Sequence, residues 1–136
     1  MRVVLVFYNH GDSWVSNWLL HEDYKHVDCF IEVGKRWFVL RLTHSGIAVR
    51  RSRYFSAGSL FNAAKKLSTV TCIIEIESYY VLRETFFVPR ILTCNELARY
   101  LSKVDVGLTL TPYHFYKKLL KYDHMRNYEI ITHWRR

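Results

Sequence analysis

Two side chains stand where position alone could give them chemistry: a cysteine at the start of a helix and a histidine at the start of a strand. The cysteine is Cys94, within Thr93-Cys94-Asn95-Glu96-Leu97-Ala98-Arg99-Tyr100-Leu101. Thr93 and Glu96 have the spacing of a capping box, in which an N-cap hydroxyl and an N3 carboxylate each take a free backbone N–H. This predicts a helix with Cys94 at its first position and a buried stripe of Leu97, Tyr100 or Leu101, and Val104. A thiol there faces the positive end of the helix dipole. Such a setting favours the thiolate, the form that attacks carbonyl carbon. The N–H of a first-turn residue has no acceptor within its helix and can donate to an oxyanion.

The histidine is His26. From it the chain alternates, with His26, Asp28, Phe30 and Glu32 on one face and Val27, Cys29, Ile31 and Val33 on the other. That pattern predicts a half-buried strand. Gly34-Lys35 reads as a two-residue turn and Arg36 to Thr43 as the returning arm of a hairpin. With Val33 opposite Arg36, Glu32 meets Trp37, Phe30 meets Val39, Asp28 meets Arg41, and His26 meets Thr43. The Asp28–Arg41 pair favours this register, and a slip of one residue would reverse both faces. An imidazole at the first strand position can overhang the sheet edge toward a helix N-terminus. A nucleophilic thiol needs such a proton acceptor within ~3 Å. Thr43, level with His26, could hold the ring.

Other elements must position these two. Residues 2–8 read as a short buried strand or an edge strand, and residues 9–21 as a loop with a helical turn. Gly46 to Arg51 is a third strand. Ala57 to Leu67 carries Leu60, Phe61, Ala64 and Leu67 at helical spacing, and strands are expected at Val70 to Glu77 and Val81 to Val88. Thr111-Pro112 supplies a hydroxyl N-cap and a proline at the first helical position, for a helix ending near Leu120. A short strand near Glu129 to Thr132 closes the order. There is no internal repeat and no Gly/Ser linker, so residues 1–136 read as a single α+β domain.

Composition narrows the class. Half of the residues are hydrophobic and 16% are aromatic, which argues against disorder. No apolar run reaches the ~18–20 residues that a bilayer span needs. The run Val3 to Phe7 lacks a small-residue cleavage site after it and reads as a strand, not a signal peptide. Cys29, Cys72 and Cys94 are odd in number and without metal-type spacing, which suggests a reducing compartment and neither a disulfide framework nor a metal site. Cys29 and Cys72 lie in apolar runs and read as core. His21, His26 and Cys29 do not make a metal site, because His26 and Cys29 fall on opposite strand faces. His44-Ser45-Gly46 lacks the first glycine and the strand-turn-helix setting of a nucleophile elbow. The net charge of +8 comes in clusters such as Arg50-Arg51-Ser52-Arg53, Lys65-Lys66 and Lys117-Lys118. Nucleic acid is a partner on charge alone, with a solvated basic face as the simpler account. Tyr113, Phe115 and Tyr116 read as packing residues. Trp14, Trp18 and Trp134, partly exposed, would suit a protein interface.

The order of these motifs resembles the circularly permuted papain-like proteins related to NlpC-type peptidases and amidases, especially small versions encoded by tailed bacteriophages. The matching residues run from Trp18 and Tyr24-Lys25-His26-Val27 through Arg36-Trp37-Phe38-Val39-Leu40 and Gly46-Ile47-Ala48-Val49. They continue with Thr93-Cys94-Asn95-Glu96-Leu97 and Leu108-Thr109-Leu110-Thr111-Pro112-Tyr113-His114-Phe115-Tyr116. The resemblance covers roughly residues 18–121. It implies an antiparallel sheet with a Cys-bearing helix packed on it, Cys94 as nucleophile, His26 as base, and no cofactor. Relatives often carry Asp or Asn in the strand after the His strand, to hold the imidazole. Here that position is Arg41, a cation, which would disfavour imidazolium; Thr43 or a backbone carbonyl is the expected substitute. The implied activity is hydrolysis of amide or ester bonds in a peptide or amide substrate. The alternative is a non-catalytic virion or tail component that binds other phage proteins. Either places the chain in the host bacterial cytoplasm or in the virion.

Overall fold

The computed structural model describes residues 1–11, 20–43, 46–79, 93–104, 106–107, 109–124 and 127–136. Trp14, Trp18, His44, Ser45, Leu108 and the strand expected at Val81 to Val88 lie outside the described residues.

Six strands form one sheet: β1 (Arg2–Tyr8), β2 (His26–Val33), β3 (Arg36–Thr43), β4 (Gly46–Arg51), β5 (Val70–Ser78) and β6 (Tyr128–Arg135). Their order is β4-β3-β2-β1-β5-β6, and every neighbouring pair is antiparallel. Among the described residues three helices pack on it: α1 (Ala57–Ala64), α2 (Cys94–Ser102) and α3 (Pro112–Lys121). The molecule is thus an α+β fold with a multi-stranded antiparallel sheet. No helix among the described residues is long and apolar enough to cross a membrane.

Strand β1 lies mid-sheet between β2 and β5, which resolves the buried-or-edge alternative. Its run Val3 to Phe7 is buried on both faces, the reason it reads as a continuous apolar segment without alternation. On one face Val3, Leu5 and Phe7 join Val27, Cys29, Cys72, Ile74 and Ile76 beneath Ala98 of α2 and Phe115 and Leu119 of α3. On the other, Val4, Val6, Trp37 and Ile73 pack under Leu60, Phe61 and Ala64 of α1. Cys29 and Cys72 belong to the first cluster, as their apolar settings predict, and so do Phe115 and Tyr116. The tyrosines form an aromatic stack here, with Tyr24 and Tyr116 centroids 4.6 Å apart.

The hairpin holds the expected register. Val33 pairs Arg36, Glu32 pairs Trp37, Phe30 pairs Val39 and Cys29 pairs Leu40. Gly34 opens the turn with φ +64°, a conformation that glycine adopts without steric cost in two-residue hairpin loops. Three boundaries differ from the sequence reading. Helix α1 ends at Ala64, short of Leu67. Strand β5 runs one residue further, to Ser78, and β6 spans eight residues instead of four, because it pairs along β5 from Cys72 to Ser78.

Candidate active site

Helix α2 begins where the capping residues place it. Thr93 is the N-cap, extended in backbone, and its hydroxyl accepts from the Glu96 N–H at 3.3 Å. Cys94 is the first helical residue and packs, partly buried, against the core that includes Val27 and Cys29. The second arm of the expected capping box is differently used. The Glu96 carboxylate turns to Thr109, accepting from its backbone N–H at 3.0 Å and its hydroxyl at 2.6 Å, and takes Arg99 on the other oxygen at 2.7 Å. Asn95 joins the same network: its amide donates to the Thr109 carbonyl at 2.7 Å and its oxygen accepts from Thr93 at 2.9 Å. Asn95, Glu96 and Thr109 are all buried. A polar lock therefore ties the first turn of α2, the turn carrying the thiol, to the segment leading into α3. Burial works against the Glu96 carboxylate, but the bonds from Arg99 and Thr109 outweigh it and hold its pKa below the usual range.

The expected stripe of α2 runs through Leu101 and not Tyr100: Leu97 and Val104 are buried and Leu101 packs, partly buried, against the core, while Tyr100 is 41% exposed. Ala98 and Ser102 are buried as well, with Asn95 and Glu96.

His26 stands first in β2 and is buried. Its Nε2 is 2.8 Å from Asp28 Oδ1, two residues along on the same strand face. Burial opposes the imidazolium. The hydrogen bond and charge of Asp28, with a further contribution from Cys94, outweigh it and raise the ring to about 9 from 6.5.

The partner that orients His26 is thus Asp28. The expected substitute, Thr43, instead donates its hydroxyl to the Gly46 carbonyl at 2.8 Å, across the β3–β4 pair. Arg41 takes a role different from the one its charge suggests. Its Nε donates to Asp28 Oδ1 at 2.8 Å and its Nη2 donates to Oδ2. The cation is therefore held by the carboxylate that also holds the imidazole, and the ring is raised, not lowered. Asp28 is 1% exposed. Burial would push its carboxyl up, yet the bonds and charges of His26 and Arg41 hold it below the ordinary carboxylate range.

Tyr8, opposite His26 on β1, is a member of this cluster that sequence reasoning missed. Its hydroxyl is pushed up first by burial and then by the Asp28 charge, and it lines one groove with Asp28 and Arg41. The signal was available in part: a tyrosine closes the apolar β1 run, at the one position where a polar tip would meet the histidine end of β2. Knowing that β1 pairs β2 was the missing step.

Burial drives the Cys29 and Cys72 thiols up. Among the described residues no three His, Cys, Asp or Glu side chains converge as metal ligands would. No protein-family profile, curated protein or solved structure matches the chain. Roles for these residues therefore come from their chemistry and geometry.

Proposed function

We propose that the chain is a thiol hydrolase of amide or ester bonds, built as a circularly permuted papain-like domain. Cys94 is the nucleophile, His26 the base and acid, and Asp28 the group that orients the ring. What supports this reading is a buried imidazole whose Nε2 meets the Asp28 carboxylate at 2.8 Å and whose pKa is raised in part by Cys94, the first residue of its helix.

The steps follow from that arrangement. The ring, raised to about 9, carries the proton at neutral pH, and sulfur attacks the carbonyl carbon of a peptide, amide or ester as the thiolate paired with it. The oxyanion so formed is met by the backbone N–H of Cys94, which has no acceptor within its helix. The imidazolium then gives its proton to the leaving nitrogen or oxygen, and the carbon–heteroatom bond breaks to leave an S-acyl enzyme. Water, deprotonated by His26, attacks the thioester and restores the thiol. Asp28 stays ionised throughout and stabilises the imidazolium, the part an orienting carboxylate plays wherever this constellation arises. Arg41 holds Asp28 in turn.

The test is acyl capture. With p-nitrophenyl acetate the wild type should release a burst of nitrophenol and carry one acetyl group on Cys94 by mass spectrometry. Cys94→Ala should lose both while melting within a few degrees of wild type. Iodoacetamide at neutral pH should label Cys94 well before Cys29 and Cys72. Labelling of Cys94 no faster than a free thiol, with no acyl adduct, would reject the hydrolase. The competing reading, a non-catalytic phage virion or tail component, draws support from Ile47 and Val49, both exposed on the edge strand β4. It predicts that Cys94→Ala leaves assembly and infectivity intact.

A further inference from the structure

The register of the sheet builds a second feature beside Asp28. On the face that carries Asp28 and Phe30, cross-strand rows run Phe30, Val39, Arg50 and then Asp28, Arg41, Ala48. Helix α1 covers this face over Val4, Val6 and Trp37 and leaves the rows nearer β4 open. Ala48 is short, and Gly46 two residues before it has no side chain, so the sheet surface dips there. The result is a groove of about 320 Å³ lined by Tyr8, Asp28, Phe30, Val39, Arg41, Thr43, Ala48 and Arg50. That is at the lower end of the volumes of small-molecule sites.

The lining has a defined chemistry. Its floor is apolar: Phe30, Val39 and Ala48. Its charged groups are two guanidiniums and one carboxylate, and that carboxylate is already engaged by both His26 and Arg41. Arg50 lies opposite Val39 and Arg41 opposite Ala48, so the two arginines are diagonal neighbours across β3 and β4, about 7–8 Å apart at their Cβ atoms. Two guanidiniums at that separation can bracket one anionic group. Asp28 balances one of them, which leaves the groove net positive over an apolar floor.

We propose that this groove binds a carboxylate carried on an apolar group, the carboxylate meeting Arg50 at the rim and the apolar part lying on Phe30, Val39 and Ala48. The carboxylate can come from a small organic acid or from the C-terminus of a peptide; the chemistry recognised is the same. The groove shares Tyr8, Asp28 and Arg41 with the candidate active site, but its lining includes neither Cys94 nor His26, so binding there does not require turnover.

The test uses the full chain, labelled with ¹⁵N, titrated with 4-phenylbutyrate, 4-phenylbutyramide, inorganic phosphate, and an Ala-Ala-Phe peptide with free or amidated C-terminus. The acids should bind saturably and shift the amide signals of residues 28–30, 39–41 and 48–50, and the amides should not. Arg50→Gln should weaken the acids about tenfold or more, the usual worth of a hydrogen bond to a charged group. Ala48→Leu, which fills the dip, should abolish binding while the rest of the spectrum stays in place. Binding of 4-phenylbutyrate assigns the site to small acids, and binding of the peptide acid alone assigns it to chain termini. Amides binding as tightly as acids, phosphate binding as tightly as either acid, Arg50→Gln or Ala48→Leu without effect, or no saturation by any acid would each overturn the proposal.

Discussion

Replacing Asp28 by Asn tests the centre of the candidate site. The change keeps the shape of the side chain and removes one negative charge. That charge holds two cations, the His26 ring at 2.8 Å and the Arg41 guanidinium at 2.8 Å on Nε. The wild-type ring stands at about 9 against 6.5 for an unperturbed histidine. The gap corresponds to about 3 kcal/mol of preference for the imidazolium in the folded state, at about 1.4 kcal/mol per pH unit. A raised histidine stabilises the fold fully below its unfolded value, and the stabilisation fades as pH climbs through the folded one. In the wild type it is therefore present below pH 6.5 and gone above about 9.

In Asp28→Asn, burial and the uncompensated Arg41 act on the ring with only Cys94 to oppose them. Its pKa should drop by about 1–3 pH units, the range for an opposite charge at contact. Imidazole carbon–proton shifts followed by NMR from pH 5 to 10 measure this directly. Denaturant unfolding at two pH values supplies an independent readout. The variant should be less stable than wild type at pH 6, and the difference should shrink by about 2–3 kcal/mol at pH 9.5, where the wild-type ring is neutral as well. What remains there is the loss of the Arg41 pair. A ring that titrates in the variant where it does in the wild type, or a stability difference that does not change with pH, would refute the reasoning. Asp28→Asn with Arg41→Asp moves the carboxylate to the facing strand and should recover part of the raised pKa.

Other expectations follow from the same contacts. Turnover should fall on the alkaline side with a midpoint at about 9, as His26 loses the proton it must give to the leaving group; a pH–rate profile flat to pH 10 would contradict this. Tyr8→Phe removes a buried hydroxyl beside Asp28 and Arg41 and should lower kcat more than it raises KM, with a shifted His26 titration. Thr109→Val leaves the buried Glu96 oxygen and the Asn95 amide short of a partner, and should destabilise by about 1–3 kcal/mol without moving the His26 pKa. The Glu96 carboxyl is held low, so its contribution is present above the ordinary carboxylate range and lost as pH falls below it; Glu96→Gln should blunt acid unfolding by that amount.

The fold was legible where local chemistry decides it. The Gly34-Lys35 turn and the alternation of His26 to Val33 fix the hairpin register, because a one-residue slip would bury Asp28 and Glu32 against α2 and α3. Thr93 and Thr111 with Pro112 mark two helix starts correctly, since a cap needs only three neighbouring residues to be recognised. The ends of α1 and β6 were not legible. A helix stops where its core contacts stop, and β6 extends because β5 offers it a full-length partner; neither fact is local. The failed half of the capping box has the same origin. Glu96 could close on Thr93 within its own turn, but Thr109, 13 residues on, offers it both an N–H and a hydroxyl.

The candidate site shows the same limit from the other side. Cys94 and His26 are readable because each depends on its own element: a cap places the thiol, and a strand start places the ring. The orienting residue is not readable in this way. Asp28 was visible only as the partner of Arg41 that favours the hairpin register. The structure gives Asp28 a second bond on the oxygen that accepts from Arg41 Nε. A carboxylate on the strand of the histidine itself, two residues away, does what one on the neighbouring strand would do, because both positions lie on the same sheet face within reach of Nε2. Arg41 then has a reason to be a cation. Burial pushes the Asp28 carboxyl up, and the bonds and charges of the imidazole and the guanidinium together hold it below the ordinary range. The residue that looked like a departure from the expected pattern is one of the two that hold this carboxylate low.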